Sequence, residues 1–178
     1  IAMGYTEILE ILLKYGLSPN TISESGTSLL MGAVRTDNAS TIRLLIEAGA
    51  NLNYERPGDK VSALYMAVHN GKENALKELL QHPIEQRIKD ECVLASVINK
   101  APEMVTPLLA AGANPNTANA DGVTPLVAAI FENMPLTAQE LIKAGADINI
   151  LYQGKTLKEI AEKKQFTECV RLLTEVEK

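Results

Sequence analysis

Few residues in this 178-residue chain carry side chains that could do chemistry. His69 and His82 are its histidines, thirteen residues apart, and Cys92 and Cys169 its cysteines. Neither set has zinc spacing, in which ligands come in pairs roughly two to five residues apart. A Cys–His nucleophile needs a base within reach of the thiol and a third group to orient that base. Both cysteines instead fall in apolar helical patterns and read as buried, reduced thiols. Gly154-Lys155-Thr156 has the ending of a phosphate-binding loop, but the first glycine of that pattern falls on Asn149. The many glutamates alternate with lysines and arginines and read as a solvated face. No catalytic residue, no metal site and no cofactor is expected, and the chain reads as non-enzymatic.

The elements that position these residues must be thin. Hydrophobic residues make up 46% of the chain, yet aromatics only 4%, and Trp is absent. A core built from Leu, Ile, Val and Ala suits short, closely spaced helices. The net charge of −5 argues against a nucleic-acid groove, which wants clustered Lys and Arg. No apolar run reaches the roughly 18–20 residues of a membrane span, so no membrane insertion is expected. A cytoplasmic monomer is the expectation.

Glycine sets the phase of the chain. Gly16, Gly49, Gly112 and Gly145 each close an apolar helical stretch, with Pro83 standing in once, so the steps are 33, 34, 29 and 33 residues. The fullest copy lies at 119–149, where Asp121-Gly122 makes a turn, Thr124-Pro125-Leu126 opens a helix, and Ala144-Gly145-Ala146-Asp147 ends the second. A Thr hydroxyl can accept from an early backbone N–H, and Pro suits the next position because its missing N–H is an orphan there. Gly can take the left-handed conformation that ends a helix. A period near 33 with Thr-Pro-Leu opening a helix pair resembles the ankyrin-repeat family.

That resemblance covers nearly the whole chain. It implies an all-α ankyrin-repeat α-solenoid, with helix-turn-helix pairs joined by β-hairpin-like fingers around a concave groove. The repeats are expected at about 1–20 (partial), 21–53, 54–83, 84–116, 117–149 and 150–178, the last a C-terminal cap within a single domain. The partial first repeat also suggests a fragment of a longer protein. The resemblance further implies a non-catalytic protein-protein interaction module. Its partner would lie across the finger tips and the first helices, which together line the concave groove. Carried over by register, the helix positions are Arg35, Thr36, His69, Asn70, Ile98, Asn99, Phe131, Glu132, Lys163 and Lys164. The finger positions are Glu24, Thr27, Arg56, Asp59, Ala120, Val123, Tyr152 and Gln153. Because Arg and aromatic side chains dominate interface energetics, the expected protein-binding residues are Arg35, Arg56, His69 with its neighbour Asn70, Phe131 and Tyr152. The alternative is a targeting or substrate-recruiting segment of a larger protein, such as an enzyme or a bacterial effector acting in the host-cell cytosol.

Three departures carry their own expectations. Between Pro83 and Glu91 there are eight steps where Gly112 to Thr124 takes twelve, which predicts a shortened or helical connection. Pro107 falls inside a second helix and predicts a kinked or later-starting one. The polar turn Arg56-Pro57-Gly58-Asp59 reads either as a tolerated surface insertion or as a binding loop.

Overall fold

The computed structural model describes residues 2–176, with side chains from residue 6. Among them the chain forms eleven α-helices and one two-stranded hairpin, so the all-α ankyrin-repeat assignment holds. The chain divides into two compact units, 1–89 and 90–178.

In the first unit, α1 (Ala2–Lys14) packs beside α3 (Ala39–Glu47), and α3 beside α5 (Glu73–Leu79). The shorter α2 (Leu29–Arg35) packs beside α4 (Ala63–His69). First helices thus stack on first helices and second on second. Leu30, Met31, Ile42, Leu45, Leu64, Leu76 and Leu79 are fully buried between them. The second unit repeats the arrangement. There α8 (Pro125–Phe131) packs on α9 (Pro135–Lys143) and on α10 (Leu157–Lys163), and α9 on α11 (Thr167–Val176). The Ala128-Ala129 pair, 6% and 0% exposed, gives α8 the slim face that this close stacking needs. Helices of seven to ten residues are marginal alone in water, so stacking supplies their stability.

The caps follow the sequence. Ser28, Ser62, Thr124 and Thr156 each accept a hydrogen bond from the backbone N–H three residues on, opening α2, α4, α8 and α10. At Thr156 the side chain of Glu159 returns the bond and completes a capping box. At the other end Gly16, Gly49, Gly112 and Gly145 adopt φ of 97°, 93°, 81° and 94°, a region that glycine enters at little cost.

The degenerate repeat is resolved by helix. No finger follows Pro83. Instead α6 (Gln86–Ile98) starts almost at once and runs for thirteen residues, nearly twice the length of α4 or α8. The other expected irregularity is a late start. A 3₁₀ turn, Pro102–Met104, precedes the six-residue α7 (Val105–Ala110). Pro107 is then the third residue of α7, where a backbone N–H has no intrahelical partner in any case.

Polar side chains stitch several neighbouring copies together. Asn20 accepts from the Asn51 N–H at 2.7 Å and donates to the Gly49 carbonyl at 3.0 Å. Asn116 does the same with Asp147 N–H, at 2.8 Å, and the Gly145 carbonyl, at 2.9 Å. Asn53 accepts from Glu85 N–H at 2.9 Å. Within the repeat that lacks the finger, Asp90 on α6 accepts from Asn114 N–H at 2.7 Å.

One sequence expectation fails. Glu78 does not belong to a solvated face: only 3% of its side chain is exposed. Arg43, one repeat earlier, donates to both of its oxygens, at 2.9 and 2.7 Å.

Candidate protein-interaction surface

Two of the expected interface residues meet in the second unit. Phe131 is the last residue of α8, where the buried run Pro125–Ile130 gives way to a half-buried ring. Tyr152 lies in β1 (Leu151–Tyr152), which pairs antiparallel with β2 (Lys155–Thr156). The two residues between them, Gln153 and Gly154, have φ of 52° and 74°. Two positive φ values in a two-residue loop make a type I′ turn, whose twist matches that of paired strands. The tight hairpin brings the Tyr152 ring edge-on to Phe131, with centroids 5.4 Å apart and planes at 85°. Lys164, just past α10, holds its Nζ 4.8 Å from the Phe131 centroid and 5.5 Å from that of Phe166.

A cleft opens on each side of this aromatic pair. One, of about 270 Å³, is lined by Phe131, Tyr152, Gln153, Lys155, Ile160, Lys163 and Lys164. The other, of about 200 Å³, is lined by Ile98, Val123, Val127, Ala128, Phe131, Glu132 and Tyr152. Lys100 forms an ion pair with Glu132 at 2.9 Å and, through that hydrogen bond, holds its carboxyl below the ordinary value. Eight of the positions carried over by register line these two clefts: Ile98, Val123, Phe131, Glu132, Tyr152, Gln153, Lys163 and Lys164.

The remaining expected residues lie in the first unit and are less concentrated. Arg35 and His69 are the last residues of the neighbouring helices α2 and α4, and both are exposed. His69 stacks on Tyr65, with centroids 6.1 Å apart and planes at 11°. Asn70 turns its amide back to the Met66 carbonyl at 2.9 Å. Arg56 is engaged within its own finger. It forms an ion pair with Asp59, its Nε donating to both carboxylate oxygens at 3.0 Å. That hydrogen bonding raises the pKa of Arg56 and lowers that of Asp59. The Arg56 stem covers Gly26, where a Cβ would sit 3.1 Å from its Cγ.

The two thiols are held away from solvent. Cys92 and Cys169 are 1% and 0% exposed, and burial pushes both thiols above their ordinary range. The Cys169 thiol donates to Asn133 Oδ1 at 3.6 Å. His82 approaches Glu78, with Nε2 3.8 Å from Oε1. Among the described residues no group of three His, Cys, Asp or Glu is placed to hold a metal ion, and no helix is long and apolar enough to cross a membrane.

The stacked helix pairs, glycine-closed second helices and hairpin fingers define a repeat protein of the ankyrin class, and comparison agrees. The family profile described as Ankyrin repeats (3 copies) matches residues 1–90 and 93–178, and the chain belongs to that family. It is 28% identical over 177 residues to the ankyrin repeat and KH domain-containing protein mask-1 of Caenorhabditis elegans, covering 97% of this chain and 7% of that protein. It is 26% identical over 160 residues to the E3 ubiquitin-protein ligase KEG of Arabidopsis thaliana, covering 85% of this chain and 9% of that protein. The chain therefore spans less than a tenth of the length of these two relatives. A solved ankyrin repeat domain from Acinetobacter baumannii AYE superposes with a TM-score of 0.84 at 28% identity, over 97% of this chain and 93% of that one.

Proposed function

We propose that this chain is a non-catalytic module that binds a partner protein through the ends of its first helices and its finger loops. Ankyrin repeats are a general protein-interaction module, which supplies the class of function. The observation that carries the site is the half-buried Phe131–Tyr152 pair standing between two clefts. Partly exposed aromatics flanked by hollows are the usual anchors of an interface. Both clefts are smaller than the roughly 300–1,000 Å³ of ligand pockets, which favours a partner's side chains over a cofactor-sized molecule. In the first unit, taken by itself, Arg35, His69 and Asn70 are the proposed contacts. Arg56, paired with Asp59 in its finger, is a further proposed contact there.

The test is affinity capture with Arg35→Glu combined with Phe131→Ala. Recovery of partner is expected to fall by about tenfold or more while the helical circular dichroism is kept. Unchanged recovery contradicts the surface. A second reading, that the chain is the recruiting segment of a larger protein, is favoured by the length of its relatives, one of them an E3 ubiquitin-protein ligase. Reading the full-length gene decides it: a repeats-only product sinks this reading.

A further inference from the structure

Resting on the proposed interaction surface, we infer that the region around Phe131 and Tyr152 takes an acidic peptide segment of its partner, an apolar side chain on one side of the ring pair and carboxylates on the other. The two clefts share these rings but differ in charge. The smaller is walled by Ile98, Val123, Val127 and Ala128, and its one acid, Glu132, is already held by Lys100 at 2.9 Å. It offers apolar surface with its charge neutralised. The larger cleft is lined by Lys155, Lys163 and Lys164 and, among the described residues, by no acidic side chain.

The three lysines are unspent. None is tied in an ion pair among the described residues, although Arg43, Arg56, Lys77, Lys100 and Arg171 all are. Lys164 rests on the faces of Phe131 and Phe166. Its ammonium is therefore positioned at the cleft, where it also adds to the positive charge that lowers the Glu132 carboxyl. Three cations in one hollow of a chain whose net charge is −5 concentrate positive potential where the rest of the molecule repels acids. A nucleic acid would share the attraction to the lysines. It would also meet that net negative charge, and the adjoining cleft has no cation in its lining to hold a backbone of phosphates.

The experiment selects a random dodecapeptide display library against the purified 178-residue chain. Enriched peptides are then measured by fluorescence anisotropy against Lys163→Gln/Lys164→Gln and Phe131→Ala, with circular dichroism on each variant. Enrichment of Asp or Glu beside an apolar residue is expected, with affinity falling about tenfold in the double lysine variant and as salt is raised. The exposed lysines can be replaced without disturbing the core, so this arm remains informative even where Phe131→Ala is destabilised. Binders that lose affinity with Phe131→Ala but show no acidic bias, or are indifferent to the lysines, overturn the inference and leave the interaction surface standing. Binders indifferent to both variants, or a library that yields none, overturn both. A fluorescent oligo-dT that binds more tightly than the enriched peptides overturns the acidic peptide in favour of nucleic acid.

Discussion

At the scale of single residues, Glu78 shows what a linear reading misses. In sequence it is one more acid among lysines and arginines. In the fold it is buried, bridged twice by Arg43 and approached by His82. Its partner lies thirty-five residues earlier, about one repeat away. The signal was therefore present, as a basic residue one period from an acidic one, but it becomes visible only when copies are laid side by side. Hydrogen bonds from Arg43, opposed by burial, set the Glu78 carboxyl below its ordinary value of 4.5. Its folded pKa being depressed, the stabilisation is complete above about pH 4.5 and is lost as pH falls through the lower folded value. Thermal melts between about pH 5 and pH 3 should therefore show a steeper loss in the native chain than in Glu78→Gln. Equal slopes in the two would show that Glu78 plays no part in acid sensitivity. Replacing Arg43 by Met leaves the buried carboxylate short of donors and is expected to cost about 1–2 kcal/mol in denaturant titration, the lower range because Arg43 itself is half exposed.

At the scale of elements, most of the fold was legible. Thr124-Pro125 opens α8 and Gly145 follows α9 because capping and left-handed glycine are local chemistry that sequence states directly. The missing finger after Pro83 and the late start of α7 were legible for the same reason. What replaced the finger was not. Asp90 holds Asn114 from α6, twenty-four residues earlier, a separation that the asparagine bonds of the other copies do not share. Asn116→Ala removes two inter-repeat hydrogen bonds and should cost about 1–2 kcal/mol, read as an earlier denaturation midpoint. The hairpin that sets Tyr152 carries a different strain. Gln153 sits at φ 52°, where Asn is better tolerated. Gln153→Asn should raise stability by about 0.5 kcal/mol; a loss of similar size would contradict the type I′ assignment.

At the scale of the whole chain, repeat arrays make stability a sum of neighbours rather than the property of one core. Both cysteines belong to the second unit and are buried. They should resist a thiol reagent in buffer and react together as that unit unfolds in denaturant, and fast labelling without denaturant would show that the stack opens locally. The central claim concerns which face of this unit meets a partner. Leu136 on α9, 76% exposed, supplies the contrast to Tyr152. A photo-crosslinking amino acid placed at each position in turn gives the direct measurement. Discrete adducts from position 152 and none from 136 are the expected result, and adducts from 136 alone would contradict the account.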